Sequence, residues 1–271
     1  MVASTFVTLR GVLLLLLARD ILGGIIIKGC DRLSVLFPPR NLWSPETWAL
    51  KDLSAEFNGG ITSFIGASSS GKSTLLKLIV NNNEDIIKSS SYMKKSGKFN
   101  YVNETHECLY SRQYIGPLFY LHVDYDNSKS CNALFLKHGS PRNEQMLQKV
   151  LQLGGLPINS KVSSLLESER RIFEISLAMS RLLGEGPSPV LVLDEYLDKD
   201  VLEVKKKIGK FLRSMCADPE INLQVFIATH SESVMRECSD WTIVLNRGRL
   251  FHQGPPQSVR KPLQLATSML Y

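Results

Sequence analysis

The segment Gly66-Ala67-Ser68-Ser69-Ser70-Gly71-Lys72-Ser73 has the residue types and spacing of a loop that binds phosphate groups. The two glycines let the backbone pass close to phosphate oxygens and point successive N–H groups at them. Lys72 would bring a positive charge to the β- and γ-phosphates of a nucleotide, and the Ser73 hydroxyl would bind Mg²⁺. The motif requires a strand before it and a helix after it, which apolar runs at 61–65 and 73–80 predict. We therefore predict that ATP and Mg²⁺ are bound by this loop: Gly66, Ala67, Ser68, Ser69, Ser70, Gly71, Lys72, Ser73 and Thr74.

Two acids follow an apolar run further along the chain. Residues 190–193 have the continuous apolar character of a buried parallel strand, and Asp194 and Glu195 come directly after it. Acids at the carboxyl end of such a strand lie beside the phosphate loop of a neighbouring strand. Asp194 is predicted to hold Mg²⁺, directly or through water, and Glu195 to orient and polarise the attacking water.

The elements that must position these residues alternate between strand and helix. Strands are predicted at 31–37, 61–65, 96–102, 108–113, 190–193, 224–228 and 241–245, and helices at 73–80, 142–154, 169–183 and 201–215. Residues 48–57 alternate loosely between apolar and polar and end at a turn signal. The helix at 169–183 is amphipathic, with apolar residues on one face. This alternation predicts βαβ units, an α/β fold and a mainly parallel sheet.

Composition limits the classes of function. The chain has 271 residues, of which 44% are hydrophobic and 21% charged, a balance typical of a folded domain. The net charge of +6 is spread thinly, so we see no specific signal for nucleic-acid binding. The five cysteines are far apart and form no CxxC pair, which argues against a zinc site or a disulfide framework and favours a reducing compartment.

The first 30 residues are predicted to be an N-terminal apolar segment that precedes a domain at 31–271. Apolar runs at 12–18 and 21–27 are each shorter than the ~20 residues that a spanning helix needs. Two alternatives stay open for the segment: a membrane-surface or organelle-targeting role, and a buried helix or strand of the domain itself. No other segment is predicted to cross a bilayer, so this chain alone is not expected to form a channel.

Together these residues resemble the ATP-binding-cassette ATPases over about residues 31–256. The resemblance implies a P-loop NTPase fold whose core sheet is joined by an antiparallel β subdomain and a helical subdomain at about 114–168. Phe37 is similar to the aromatic residue that stacks on adenine, and Gln113 to the glutamine that senses Mg²⁺ and faces the transport partner. His230 looks like the switch histidine that contacts the γ-phosphate, although a histidine at a strand end is also often only a surface hydrogen-bonding group.

The resemblance also implies partners and a place in the cell. Cassette ATPases of this kind power transport through membrane subunits supplied by other chains, and they lie on the cytosolic face of the membrane. Each nucleotide site in such an assembly is closed by the signature loop of a second cassette.

The signature loop of this chain departs from the family pattern. Leu-Ser-Gly-Gly-Gln is expected, and the chain has Leu165-Leu166-Glu167-Ser168-Glu169. Leu166 lacks the hydroxyl, and Glu167 would place a negative charge near a polyanion. An alternative alignment would use Ser163 and Ser164 with a small insertion. We therefore expect a heterodimeric partner ATPase that supplies an intact signature loop.

The loop after Glu195 departs as well, since it contains Tyr196 to Asp200 in place of Pro-Thr-Ser-x-Leu-Asp. Whether Asp200 stands for the family aspartate is left open. Two other functions compete with an energy-coupling ATPase: a regulator or scaffold with weak ATPase activity, and a different phosphate-loop enzyme. A GTPase would need an Asn-Lys-x-Asp motif, which the sequence lacks, and a small-molecule kinase would lack the Gln113 and His230 features.

Overall fold

A computed structural model of the chain describes residues 27–37, 45–80, 94–101, 112–115, 128–138, 144–157, 159–182 and 189–259. The strands in these ranges are β1 (Ile27–Phe37), β2 (Thr47–Glu56), β3 (Ile61–Ile65), β4 (Lys94–Tyr101), β5 (Arg112–Ile115), β6 (Val190–Asp194), β7 (Gln224–Thr229), β8 (Trp241–Asn246) and β9 (Arg249–Gly254). The helices are α1 (Lys72–Val80), α2 (Cys131–His138), α3 (Glu144–Gly154), α4 (Glu167–Leu182), α5 (Leu202–Ala217) and α6 (Glu232–Cys238). A 3₁₀ turn at Val162–Ser164 precedes α4.

The core sheet has the strand order β5-β6-β7-β3-β8-β9. The pairs from β5 to β8 are parallel, and β9 joins β8 in the antiparallel direction. β3, β6 and β7 are buried along their whole length, because helices or a second sheet cover both faces. The predicted α/β fold with a mainly parallel sheet is confirmed.

Side chains of β6 alternate between two hydrophobic clusters, one on each face of the core sheet. Leu191 and Leu193 pack with residues of α4 and α5 on one face. Val190 and Val192 pack on the other face with residues of α1 and of the second sheet. The period of two explains why a fully apolar strand is needed at this place, since neither face reaches water.

The second sheet is antiparallel, with the order β2-β1-β4. Its first strand is joined to the core by the side chain of Gln224, which accepts from the N–H of Ile27 at 3.1 Å and donates to the Ile27 carbonyl at 2.9 Å. The predicted start of this strand at Asp31 is wrong, because Ile27 and Cys30 are already buried in β1. Lys28 and Gly29 interrupt the apolar residues at the start of β1, so the sequence pattern does not indicate that the strand begins at Ile27. The domain limits 1–30 and 31–271 stay a prediction.

Helices α2 and α3 stand beside α4, within the range predicted for the helical subdomain. Phe135 of α2 and Phe173 of α4 meet edge to face with ring centroids 5.0 Å apart. The helix predicted at 169–183 begins at Glu167, earlier than expected, because the Glu169 carboxylate caps the first turn. The strand predicted at 108–113 is found at Arg112–Ile115, and residues 102–111 lie outside the described residues.

In the part of the chain that the structure describes, no helix is both long and apolar enough to cross a membrane. Both apolar runs of the N-terminal segment lie outside the described residues, except that Ile27 is part of β1.

Candidate nucleotide site

The predicted phosphate loop connects β3 to α1 and is held in a tight curve. A Cβ atom on Gly66 would lie 2.2 Å from the carbonyl oxygen of Leu245, so only glycine allows this approach to β8. Gly71 has φ +103°, and a Cβ there would lie 2.4 Å from the Ala49 carbonyl. Ser69 adopts φ +62° although it is not glycine. These constraints shape a concave loop at the N-terminus of α1, a helix whose first turn contains no acidic residue.

Lys72 folds back across this loop. Its Nζ donates to the carbonyl oxygens of Gly66 at 2.9 Å and Ala67 at 3.0 Å, and the residue is only 4% exposed. Burial lowers the pKa of this ammonium below its usual 10.5, although the nearby carboxylates of Glu195 and Asp194 oppose the change. The positive charge therefore lies inside the curve where a phosphate group would bind.

The predicted Mg²⁺ ligands Ser73 and Asp194 are in contact. The Ser73 hydroxyl donates to Asp194 Oδ1 at 3.1 Å, and Asp194 is buried at the end of β6. Hydroxyl and carboxylate oxygens are the hard ligands that Mg²⁺ prefers, and Mg²⁺ bound with phosphates needs only one or two of them from the protein. The pair therefore fits the ion. Gln113 is on β5, where its backbone pairs with Leu191 of β6, and its side chain lies outside the described part of the structure.

Glu195, His230 and Lys72 converge although they are far apart in the sequence. Glu195 follows β6 with φ +55°, and its N–H donates to the Ala228 carbonyl at 2.9 Å. Its Oε1 lies 2.7 Å from Nε2 of His230, which follows β7. The same His230 nitrogen is 3.3 Å from Lys72 Nζ. A carboxylate, an imidazole and an ammonium thus face one point at the carboxyl edge of the sheet.

Asp198 belongs to this arrangement, and the sequence did not indicate it. Its Oδ2 accepts from the backbone N–H of His230 at 2.9 Å, and its Oδ1 accepts from the Thr229 hydroxyl. The Asp198 N–H in turn approaches the Glu195 carbonyl at 3.5 Å. Asp198 therefore connects the turn that carries Glu195 to the loop that carries His230. Its place three residues after a predicted catalytic acid was the signal that could have identified it.

Phe37 ends β1 opposite Thr47 and is 37% exposed. An aromatic ring at this exposure is open to a stacking partner. Thr74 continues the first turn of α1 directly after Ser73.

The stretch that corresponds to the signature loop leads into α4. Leu166 is 63% exposed, and its N–H donates to Glu169 Oε2 at 2.8 Å. Glu167 and Glu169 both lie in the first turn of the helix. This N-terminus is thus capped by a carboxylate of its own chain. Ser163 and Ser164, the alternative alignment, lie in the preceding 3₁₀ turn.

Arg171 of α4 joins this helix to the turn after Glu195. Its Nε and Nη2 each lie 3.1 Å from Asp200 Oδ1, and the Asp200 side chain is 2% exposed. Burial raises the pKa of Asp200, and Arg171 opposes that change. The guanidinium also lies over the Tyr196 ring at 4.8 Å, and the Tyr196 hydroxyl donates to Glu174.

Solved structures of nucleotide-binding cassettes share this architecture. The ADP conformation of MJ1267, an ATP-binding cassette of an ABC transporter, matches with a TM-score of 0.60 and 17% identity, covering 90% of this chain and 98% of that one. The chain has the fold of an ATP-binding cassette. A dimeric structure of the cassette MJ0796, a bacterial ABC transporter cassette, also matches, with a TM-score of 0.55, 17% identity and coverage of 84% and 98%.

Curated relatives of the cassette are import ATP-binding proteins. The sulfate/thiosulfate import ATP-binding protein CysA of Nitrosomonas europaea is 28% identical over 228 residues, which are 78% of this chain and 58% of that protein. CysA of Synechococcus elongatus is 26% identical over 214 residues, with coverage of 77% and 58%. The methionine import ATP-binding protein MetN of Histophilus somni is 27% identical over 221 residues, with coverage of 76% and 59%.

The cassette spans less than two thirds of the length of these relatives. No protein-family model matches it. Fold and sequence similarity both support the predicted resemblance to the ATP-binding-cassette ATPases.

Proposed function

We propose that the cassette binds and hydrolyses ATP to power transport through membrane subunits supplied by other chains. One observation carries the proposal: Lys72, Glu195 and His230 come from three separate segments and meet within 2.7 and 3.3 Å beside the phosphate loop. The names of the import relatives support the coupling to transport.

The residues divide the work of hydrolysis as follows. The loop at 66–74 and Lys72 hold the phosphates, and Phe37 stacks on the adenine. Ser73, Asp194 and Gln113 hold Mg²⁺, which neutralises charge on the β- and γ-phosphates when bound. Glu195 accepts a proton from the attacking water. The oxygen of this water bonds to the γ-phosphorus as the bond between the γ-phosphorus and the leaving ADP oxygen breaks. His230 donates to the γ-phosphate and is oriented by Glu195 on its ring and by Asp198 on its backbone.

Three variants test this assignment. Glu195→Gln is expected to keep ATP binding and to lose turnover by about 10²-fold or more, the usual effect of removing a general base. Lys72→Ala is expected to lose ATP binding itself. Unchanged turnover in the first variant, or unchanged nucleotide affinity in the second, contradicts the proposal. Phe37→Ala should weaken ATP binding without sharpening the choice between ATP and GTP, since stacking tolerates any base.

The proposed partners follow from the residues at the N-terminus of α4. The cassette is proposed to work as a peripheral protein on the cytosolic face of a membrane, beside a second, different ATPase. Its own phosphate loop is complete, whereas Leu166 and the carboxylates of Glu167 and Glu169 occupy the place that would meet the partner's γ-phosphate. A missing donor at such a place costs about 10²–10³ in rate. The partner's nucleotide would therefore turn over slowly, and the nucleotide on Lys72 would use the partner's signature loop. An organelle-targeting role for residues 1–30 is the remaining alternative for localisation.

The self-capped α4 also favours the second candidate, a regulator or scaffold with weak ATPase activity. The two are separated by purifying the chain alone and in a complex recovered from membranes. Leu166→Ser combined with Glu167→Gly should raise the activity of the isolated chain. Brisk, cooperative hydrolysis by the unmodified chain alone contradicts the heterodimer, and copurification without any membrane protein favours the regulator.

A further inference from the structure

A buried lysine of α5 lies behind the catalytic residues. Lys205 is 5% exposed, and its ammonium donates to the Asp198 carbonyl at 3.1 Å, to Ser231 Oγ at 3.2 Å and to Ser233 Oγ at 3.1 Å. An ammonium has three N–H donors, and all three are used here. The acceptors are neutral oxygens. A buried charge held in this way is costly, and its complete hydrogen bonding offsets its removal from water.

Two of the three acceptors lie on the loops that carry the catalytic side chains, and the third, Ser233, lies in the first turn of α6. Asp198 is in the turn that begins at Glu195, and Ser231 directly follows His230. Asp198 is itself bonded to the His230 N–H at 2.9 Å, and the Ser231 N–H donates to Thr229 Oγ1 at 2.9 Å. The hydrogen bonds therefore form a closed ring that passes through Lys205 and both loops.

His230 is part of this ring. Its backbone N–H is fixed by Asp198, and its imidazole lies 2.7 Å from Glu195 Oε1 and 3.3 Å from Lys72 Nζ. A movement of either loop would change both of these distances. A hydroxyl or a carboxamide could not make all three hydrogen bonds, because neither has three donors.

We propose that Lys205 is a positioning residue for ATP hydrolysis, which sets the geometry of Glu195 and His230 by tying their loops together. The proposal rests on the proposed function of the cassette. It predicts that loss of the ammonium impairs the chemical step and spares nucleotide binding, because the phosphate loop makes none of the bonds in the ring.

The test compares Lys205→Met with Lys206→Met. Both changes keep an unbranched stem and remove an ammonium from the same helix, but Lys206 is exposed and forms a surface ion pair with Glu203 at 3.2 Å. For Lys205→Met we expect kcat to fall about tenfold to 10²-fold, the size of effect that a displacement of about 1 Å produces. The KM and the affinity for a fluorescent ATP analogue should change less than about twofold, a difference of under ~0.4 kcal/mol. Lys206→Met should behave as the wild type.

A second readout does not depend on turnover. The ring signals of His230, assigned by their absence in His230→Gln, are followed by NMR without nucleotide. They should shift or split in Lys205→Met and stay in place in Lys206→Met. If Lys205→Met does not fold, Ser233→Ala removes one acceptor, and the same two changes are expected at smaller size.

The outcomes are distinct. Wild-type kcat together with unchanged His230 signals overturns the proposal. A parallel loss of ATP affinity and kcat in the folded variant also overturns it, because that is the result of a general structural role. A wild-type protein that neither binds nor hydrolyses ATP would refute the proposed function instead, and the NMR comparison would still decide whether Lys205 positions His230.

Discussion

Replacing Arg171 by methionine should destabilise the cassette through the carboxylate that it leaves behind. Arg171 contacts Asp200 through two nitrogens at 3.1 Å, and the Asp200 side chain is 2% exposed. Removing one partner of a buried ion pair typically costs ~3–5 kcal/mol. Because the Arg171 side chain is 26% exposed, water already screens part of the interaction, and we expect a loss of about 2–4 kcal/mol.

The loss should depend on pH, since an isolated buried carboxyl can escape its cost by taking up a proton. The pKa of Asp200 is already raised above 3.8 by burial, and it should rise further without Arg171. The folded state then binds more protons than the unfolded state between the two pKa values. The penalty is therefore absent below about pH 3.8, grows as pH rises through the folded-state pKa, and is complete above it.

Thermal and urea unfolding measure this prediction. At ~2–4 °C per kcal/mol for a protein of this size class, Tm should fall by roughly 4–16 °C at neutral pH and by less at pH 5. The matched control is Arg213→Met, since Arg213 pairs with Asp240 at 3.3 Å with both side chains over a third exposed, and its loss should cost about 0–1 kcal/mol. The combination of Arg171→Met with Asp200→Asn should be more stable than Arg171→Met alone. A cost equal to that of the control, or additive effects in the double variant, would refute the reasoning.

Two further predictions concern the phosphate loop. The pKa of Lys72 is lowered, so ATP affinity should begin to fall at a pH below 10.5, because the ammonium form is the one that binds phosphate. Binding titrations from pH 7 to 10 measure this decline, and Lys72→Arg should flatten it. A wild-type affinity that does not change over this pH range would contradict the prediction. Ser69 has φ +62°, a left-handed conformation that glycine adopts easily and valine does not. Ser69→Gly should therefore keep ATP affinity, while Ser69→Val should lose about tenfold in affinity, on the order of 1–2 kcal/mol. Equal ATP affinities of the two variants by calorimetry would show that the left-handed conformation is not required.

The parts of the fold that the sequence predicts well are those with a local signal. β3 and β6 are continuous apolar runs, and the structure buries both on two faces. The phosphate-loop motif implies a strand, a loop and a helix in a fixed arrangement. The contact between Ser73 and Asp194 therefore follows once β3 and β6 both pair with β7 in the parallel direction. The start of α4 was misplaced because it depends on one side-chain bond, from the Leu166 N–H to Glu169.

The hydrogen bonds that Asp198 and Lys205 make with residues distant in sequence were not predicted. Asp198 and Lys205 have no periodic pattern, and each acts on residues that are distant in sequence and are brought close by the pairing of β6 with β7. The roles of Asp194 and Glu195 were inferred from a strand end, which is a local feature. Their partner His230 could be placed only because β7 also ends at the same edge of the sheet.

The two helices that would face phosphate in a cassette assembly have opposite charges at their N-termini. α1 has no acidic residue in its first turn and begins with Lys72, so its free N–H groups and the ammonium together attract an anion. α4 begins with Glu167 and Glu169, and a Glu169 oxygen already occupies the Leu166 N–H. A phosphate approaching α4 would have to displace a carboxylate and tolerate a second one, whereas the first turn of α1 contains no carboxylate. We therefore expect the chain to hold its own nucleotide without a partner, and not to offer a partner's nucleotide an equivalent surface.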